Sequence, residues 1–354
     1  MNKTAEILAE RLSNQRLSFT EFEQPADVVR WMGAVQAQEF HAAKWALALR
    51  MRDATSAGIQ EAFDRGEILR THVMRPTWHF VTPEDIRWLL QLTAPRVNVA
   101  SGSGYRRFEI DDAVCKKTRR VFTKVLQGGK QLTRAELKAA LNGAGIDANN
   151  SIRMGHILLR AELDGLICSG PVRGKQFTYA LFEERVPAAE RIDPDEALVR
   201  LTLRYFRSHG PASLHDFVWW SGLTTADARR GLALAEGELR KVDVYWSAAN
   251  PSNFSISKAR ANFLPQYDEY NVAYKHRALV VPPGTTTWNQ LGPGVIVDGI
   301  IVGTWTSRLD HEFVLIEVTP SQPLKQTERR AIANAADRYG AYFELPARVA
   351  YGLK

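Results

Sequence analysis

Two glutamines separated by one residue stand among apolar neighbours in the segment 35–39, which reads VQAQE. A side-chain amide can accept a hydrogen bond from water through its oxygen and donate one through its NH₂ group. Residues two apart on an α-helix point about 200° from each other, so Gln36 and Gln38 reach one ligand only at a helix end, a kink or an extended turn. In the alternative interpretation, Gln36 is a helix-surface amide and Gln38 caps the helix end.

A second group of polar side chains lies in a predicted hairpin over 69–81. Strand alternation places Arg75, Thr77 and His79 on one side, where they can hydrogen-bond a phosphate backbone or a base edge. In the alternative interpretation, one face of the hairpin is buried and the other faces solvent, and Arg75 is a solvated side chain without a binding role.

Two adjacent carboxylates, Asp268 and Glu269, stand between Tyr267 and Tyr270. A carboxylate held near a developing positive charge stabilises that charge electrostatically. The alternative is that the pair orients a neighbouring arginine or caps a turn. We take Asp268, Glu269 and His79 as candidate supporting residues for the two glutamines.

Several enzyme classes are disfavoured because their motifs are missing from the sequence. There is no H-E-x-x-H, no Walker loop and no G-x-S-x-G, and the cysteines Cys115 and Cys168 have no metal-ligand partners at the usual spacings. His72 and His79 stand on opposite arms of the predicted hairpin. We therefore expect neither a metal nor a cofactor.

The charge of the chain is unevenly distributed. The formal net charge is +7, and the segment 70–130 carries twelve basic and five acidic residues. A localised positive field favours a polyanion as partner, although a solvated face of a basic protein gives the same count. No apolar run is long enough to span a membrane, and the start of the chain does not read as a signal peptide, which favours the cytoplasm.

The order of predicted elements repeats along the chain, and each repeat has short amphipathic helices followed by a strand–turn–strand hairpin. The clearest copy covers 111–183, where Thr133 and Glu136 form a capping box and Arg173 and Lys175 lie at the hairpin turn. Helix, helix, helix and hairpin is the order of a winged helix. Further copies are predicted over about 3–95 and 193–246.

The fold class predicted from this order is α+β, with three tandem winged-helix units and a strand-rich C-terminal region. The predicted domains are 1–100 with the two glutamines, 105–188, 190–250 and 251–354. The more detailed predictions are helices at 4–13, 25–36, 41–50 and 56–65, a helix opened by 82–85, a flexible connector at 101–104, strands at 278–281, 295–305 and 313–318, and a helix at 327–339.

Together the motifs resemble those of the AlkZ/YcaQ-type crosslink-repair DNA glycosylases, a family of bacterial winged-helix proteins. The resemblance covers nearly the whole chain and rests on the segments 35–38, 69–72, 77–81, 209–212, 216–223, 264–270 and 302–305. It implies three winged-helix motifs that form a concave basic surface for duplex DNA. It also implies that Gln36 and Gln38 are the catalytic Q-Φ-Q motif, with alanine as a small Φ residue. The Q-Φ-Q branch is associated with unhooking interstrand crosslinks, and the Q-Φ-D branch with a broader range of N7-alkylguanines.

The mechanism implied by the resemblance is hydrolysis of the N-glycosidic bond of an N7-alkylated purine. Gln36 and Gln38 would orient the attacking water, and Asp268 or Glu269 would add negative charge. No lysine stands out as a nucleophile, so we expect a monofunctional enzyme without lyase activity. The expected partner is alkylated or crosslinked duplex DNA, bound by a monomer away from any membrane.

Two alternatives lack this chemistry. A winged-helix transcription regulator would prefer one operator sequence, and a scaffold would use its winged helices against other proteins. For the DNA-binding interpretations, the predicted phosphate contacts are Arg75, Thr77, Arg106, Arg107, Arg173 and Lys175.

Overall fold

A computed structural model describes residues 3–249, 260–281 and 292–352. Helices and strands alternate along these residues. In chain order the elements are α1 (Lys3–Asn14), α2 (Pro25–Met32), β1 (Val35–Gln36), α3 (Phe40–Ala48), α4 (Ser56–Arg65), β2 (Leu69–Val73), β3 (Arg75–Val81), α5 (Ile86–Ala100), α6 (Gly102–Arg107), α7 (Asp112–Leu126), β4 (Leu132–Thr133), α8 (Arg134–Gly143), α9 (Ser151–Leu163), β5 (Ile167–Ser169), β6 (Thr178–Leu181), α10 (Phe182–Arg185), α11 (Pro194–His209), β7 (Ala212–Ser213), α12 (Leu214–Ser221), α13 (Thr225–Leu234), β8 (Leu239–Val242), β9 (Tyr245–Ala248), β10 (Ala261–Leu264), α14 (Glu269–Val272), β11 (Gly294–Val297), β12 (Ile300–Leu309), β13 (Val314–Pro320), α15 (Gln326–Tyr342) and β14 (Ala347–Tyr351).

Three stretches of the chain, 25–81, 112–181 and 194–248, share one order of elements. Each runs helix, short strand, helix, helix and hairpin. In each, the short strand pairs with the second strand of the hairpin, which gives the sheet orders β1-β3-β2, β4-β6-β5 and β7-β9-β8. The three stretches are called the first, second and third units below.

Local capping signals begin several of these helices where the sequence predicts them. Thr133 and Glu136 form the reciprocal capping box of α8, and the Asp111 side chain accepts the Val114 N–H at the start of α7. The predicted helices at 4–13, 41–50 and 56–65 are confirmed to within one or two residues.

The predicted helix over 25–36 is wrong in its last turn. Gly33 adopts φ 83°, and its N–H closes on the Val29 carbonyl at 2.9 Å, so α2 ends at Met32. Glycine reaches this backbone region without the steric cost that a side chain imposes. The following residues are therefore free to extend into β1.

Four other sequence predictions need correction. The segment 101–104 is not a flexible connector, because Ser101 precedes α6 as its N-cap and residues 102–104 form the first turn of that helix, which is anchored by the buried Tyr105. The helix opened by 82–85 begins only at Ile86. The predicted strand at 278–281 is a turn, and the predicted strand at 295–305 is a hairpin.

The hairpin within 295–305 turns at Asp298 and Gly299, which have φ 49° and 84°. A two-residue turn with positive φ at both positions matches the twist of antiparallel strands. The apolar residues on its two sides therefore belong to separate strands, β11 and β12.

The C-terminal region forms a five-stranded sheet of order β10-β11-β12-β13-β14, with α15 packed against it. This sheet shares one hydrophobic core with the first unit, and the Trp45 and Tyr339 rings meet edge to face at 4.7 Å between centroids. The strand-rich region thus supports the unit that carries the two glutamines. The predicted domain boundary at 250/251 lies outside the described residues.

Within the part of the chain that the structure describes, no helix is both long and apolar enough to cross a membrane.

Candidate functional site

Gln36 lies in the two-residue strand β1, and Gln38 lies just beyond it in a bend. In β1, Val35 pairs with Phe80 and Gln36 pairs with His79, and the Ala37 N–H continues the pairing to the Trp78 carbonyl at 2.8 Å. Val35 and Ala37 both belong to the hydrophobic core that the first unit shares with the C-terminal sheet. Side chains alternate along extended backbone, so Gln36 faces away from that core, while Gln38 follows in a bend with a half-buried side chain.

Arg70 fixes the backbone of this segment from the hairpin strand β2. Its Nε donates to the Ala37 carbonyl at 2.8 Å, and its Nη2 donates to the Gln38 carbonyl at 3.2 Å. The guanidinium also packs over the Trp78 and Phe177 rings, 4.3 and 4.8 Å from their centroids. Arg70 is therefore a buried residue that holds the backbone of residues 37 and 38, although it belongs to the basic segment 70–130.

The glutamine side of the first sheet contains polar atoms that have no partner among the residues that the structure describes. Gln36 is 9% exposed, and its Oε1 is buried without a hydrogen bond, whereas Gln38 is half-buried. The hydroxyls of Thr71 and Thr77 are likewise buried and unpaired. Each unpaired buried group costs about 1–3 kcal/mol, so the arrangement suits a partner from outside the chain, such as water or substrate.

Glu269 lies directly against the glutamine strand. It is 0% exposed; its Oε1 accepts the Gln36 N–H at 2.7 Å, and its Oε2 accepts the Trp220 indole N–H at 2.9 Å. His209 Nε2 lies 3.5 Å from the same Oε2. Burial opposes ionisation, but the contacts with His209, the Gln36 N–H and Arg75 together hold the pKa of Glu269 below its usual value. A buried carboxylate thus stands beside the first glutamine.

Asp268 has a different environment. Both of its oxygens accept from the Arg50 guanidinium at 2.9 Å, and Oδ1 also accepts the Tyr270 N–H at 2.9 Å, which caps α14. This is the alternative in which a carboxylate orients an arginine and caps a turn. Asp268 therefore holds the segment that carries Glu269 and does not itself approach the glutamines.

His79 is the cross-strand partner of Gln36, and Arg75 lies next to His79. His79 Nδ1 donates to the Thr77 carbonyl at 2.9 Å, which leaves Nε2 as an acceptor 3.5 Å from Arg75 Nη2. Burial and then the charge of Arg75 lower the pKa of His79 to about 3, so its ring is neutral near pH 7. His79 consequently orients Arg75 and is unsuited to carrying a proton in the reaction.

Arg75 is half-buried, so it is not the merely solvated cation of the alternative interpretation. Burial lowers the pKa of its guanidinium, and the negative charge of Glu269 opposes that effect. Its contact with phosphate stays a prediction.

The third unit closes the site from the other side. Gly222 adopts φ 70° at the end of α12, and a Cβ on this residue would lie 2.2 Å from the Met74 carbonyl in the turn between β2 and β3. This close approach requires glycine and brings Trp220 onto Glu269. No local sequence pattern within the segment 216–223 reveals which residues face the site, so the sequence alone does not predict the contact between Trp220 and Glu269.

The similarity of this chain to known proteins extends over most of its length. The sequence model described as DNA glycosylase AlkZ-like matches residues 29–342, which include Gln36, Gln38 and Glu269. The chain belongs to the AlkZ-like DNA glycosylase family. It is 25% identical over 368 aligned residues to the interstrand DNA cross-link repair glycosylase of Streptomyces sahachiroi, covering 97% of this chain and 98% of that protein.

The structure of this AlkZ-like protein also matches a solved one. The Streptomyces sahachiroi DNA glycosylase AlkZ superposes with a TM-score of 0.78 at 23% identity, covering 98% of this chain and 99% of the other. Similarity at this level of identity establishes a shared fold across all three units and the C-terminal sheet.

The predicted phosphate contacts of this AlkZ-like protein lie on three different elements: β3, the end of α6 and the turn between β5 and β6. Arg106 and Arg107 are exposed at the end of α6. Arg173 is exposed and donates to Glu136 at 2.8 Å and to the Gln131 carbonyl. A groove of about 600 Å³ runs between the first hairpin and the second unit, and its basic lining residues are Arg70, Arg134, Lys138 and Lys175. Of the predicted contacts, only Lys175 lines this groove.

A lysine that could act as a nucleophile is engaged elsewhere. Lys44 in α3 is buried, and burial lowers the pKa of its ammonium. Its Nζ donates to the Ser56 carbonyl at 3.2 Å and to Gln60 Oε1 at 3.1 Å, so it is held by α4. Across residues 3–249, 260–281 and 292–352, no cluster of His, Cys, Asp and Glu could hold a metal ion.

Proposed function

We propose that this protein is a monofunctional DNA glycosylase that removes N7-alkylated purines with a water molecule held by Gln36 and Gln38. The observation that supports the proposal is the buried Oε1 of Gln36, which has no hydrogen-bond partner among the described residues and lies two residues from the half-buried Gln38. Membership in the AlkZ-like DNA glycosylase family supports the reaction class.

The proposed reaction needs no strong acid, base or nucleophile among the side chains. Alkylation at N7 gives the purine a positive charge, which makes it a good leaving group. The enzyme must therefore mainly hold water in line with C1′ and stabilise the sugar cation. A glutamine oxygen can accept from that water, and the ionised Glu269 behind Gln36 supplies negative charge to the same region.

The repeated topology supports three tandem winged-helix units as the DNA-binding framework, because each unit has the helix and hairpin order of that motif. We propose that they form a concave basic surface for duplex DNA. The Streptomyces sahachiroi relative carries interstrand crosslink repair in its name, so crosslinked DNA is a proposed substrate as well. A monomer acting in the cytoplasm is the simplest arrangement for such a substrate.

Incubation with a duplex that contains N7-methylguanine tests this proposal. We expect release of the free methylated base, with the strand staying intact until heat or alkali cleaves the abasic site. Base release is followed by chromatography, and strand breaks by denaturing electrophoresis. Cleavage without heat or alkali would contradict the monofunctional assignment, and absence of any released base would favour the DNA-binding regulator.

The wing of the second unit provides a test of the DNA contacts. Replacing Lys175 by alanine removes an exposed cation from the rim of the basic groove. We expect weaker binding to any duplex sequence and a decrease of about one in the slope of log affinity against log salt. The exposed Arg330 on α15 offers a matched control, since R330A should leave the slope unchanged. An unchanged slope in K175A would place the DNA elsewhere.

A further inference from the structure

Two adjacent tryptophans in α12 have opposite environments. Trp220 is 0% exposed and donates to Glu269, whereas Trp219 is 44% exposed. The exposed large apolar side chains of the described chain are otherwise aliphatic. An exposed indole beside a buried one indicates a surface that is completed by a ligand.

The exposed indole is held in one orientation. Trp219 Nε1 donates to the Val272 carbonyl at 3.0 Å. The Arg277 guanidinium lies 5.8 Å from the indole centroid, and its Nε donates to the Asn271 carbonyl at 2.5 Å. A ring fixed by hydrogen bonding loses little conformational entropy when a ligand stacks on it.

The indole is also rigidly connected to the glutamine strand. Val272, which accepts from Trp219, ends the short helix α14, and Glu269 begins it. One helical turn separates them, roughly 5 Å along the axis. On the other side, Arg277 links the indole to the same helix, because its guanidinium lies 5.8 Å from the Trp219 ring and its Nε donates to the Asn271 carbonyl.

We propose that Trp219 is a stacking platform for an unpaired nucleobase at the mouth of the site, with Arg277 facing the phosphate of that nucleotide. This inference rests on the proposed glycosylase function. An aromatic face stacks on any base, which suits an enzyme that selects damage and not sequence. The adjacent guanidinium favours a nucleic acid over an apolar protein surface, because it complements a phosphate.

Binding to undamaged DNA tests the platform without any chemistry. The probes are a fully paired duplex and the same duplex with one unpaired thymine, and dissociation constants are measured by fluorescence anisotropy. We expect W219A to weaken binding of the bulged duplex by about 5- to 150-fold, and that of the paired duplex much less. W219F keeps an aromatic face and should stay within about threefold of the wild type. As a matched control, L309A changes a side chain of the C-terminal sheet that is 57% exposed, and should have no effect.

Three outcomes would overturn the platform. Equal affinity of W219A and wild type for the bulged duplex would mean that the indole serves a partner other than DNA. An equal loss on both duplexes would indicate a general surface contact. A loss in W219F as large as in W219A would assign the effect to the hydrogen bond with Val272. Thermal unfolding of each variant shows whether the fold is intact.

The binding test of Trp219 and the base-release test of the proposed function can fail independently of each other. If wild type releases N7-methylguanine while W219A binds the bulged duplex normally, only the platform is wrong. If wild type releases no base while W219A selectively loses the bulged duplex, the platform stands and the glycosylase assignment is wrong.

Discussion

Replacing Gln38 by alanine is expected to slow base release by on the order of 10²–10³-fold, with little change in affinity for undamaged duplex. The backbone of Gln38 is already fixed, because Arg70 binds the carbonyls of Ala37 and Gln38. Truncating the side chain therefore removes an amide without moving the strand. Single-turnover release of N7-methylguanine measures the rate, and anisotropy with undamaged DNA measures the affinity.

A double replacement sharpens this prediction. If Gln36 and Gln38 hold one water molecule, Q36A/Q38A should be scarcely slower than the worse single variant, because groups that act as a unit are not additive. The exposed Gln91 on α5 provides a matched control, and Q91A should retain the wild-type rate. Wild-type release by Q38A, or strictly multiplicative losses in the double variant, would exclude a shared water.

Local patterns in the sequence predicted most helix starts and the repeated element order. Caps such as Asp111 and Thr133 act within one turn of the chain, and the alternation of apolar residues marks the hairpins. The end of α2 was missed because the apolar pattern continues past Gly33, where the backbone conformation stops the helix. The same omission hid β1, the short strand that carries Gln36.

The environment of the glutamines could not be predicted, because it comes from distant parts of the chain. Glu269 binds the Gln36 N–H across 233 residues of sequence, and Trp220 reaches Glu269 across 49. Sequence spacing identified Asp268 and Glu269 as a pair, but only the fold separates their roles. Arg50 binds the Asp268 carboxylate, and the Gln36 N–H donates to the Glu269 carboxylate.

His79 shows why strand alternation alone could not establish exposure. Alternation grouped Arg75, Thr77 and His79 on one side of β3, where His79 pairs with Gln36, but it left open whether that side contacts a ligand or solvent. In the structure His79 is 0% exposed and Arg75 is half-buried, and Gly222 of the third unit packs against the Met74 carbonyl at the end of the hairpin. Coverage by a sequence-distant unit leaves no periodic signal in the strand itself.

Replacing Glu269 by alanine is expected to lower the free energy of unfolding at pH 7 by about 3–5 kcal/mol. The change leaves the Gln36 N–H and the Trp220 indole N–H without an acceptor, and it leaves the half-buried Arg75 without a nearby anion. Urea denaturation monitored by tryptophan fluorescence measures the loss. The exposed Glu317 on β13 is a matched control, and E317A should unfold at the wild-type urea concentration.

The isosteric variant E269Q separates the charge of Glu269 from its volume through pH. Because the folded-state pKa of Glu269 lies below the usual 4.5, its ionised form stabilises the fold above that pH, and this stability is lost as the pH falls through the folded-state pKa. E269Q should therefore be less stable than wild type at pH 7, and the gap should close at pH values below 4.5. A stability gap that stays constant from pH 7 down through this range would show that the charge contributes nothing. In that case the gap would come from the second acceptor oxygen of Glu269, because an amide has one oxygen and its NH₂ cannot accept from the Gln36 or Trp220 N–H.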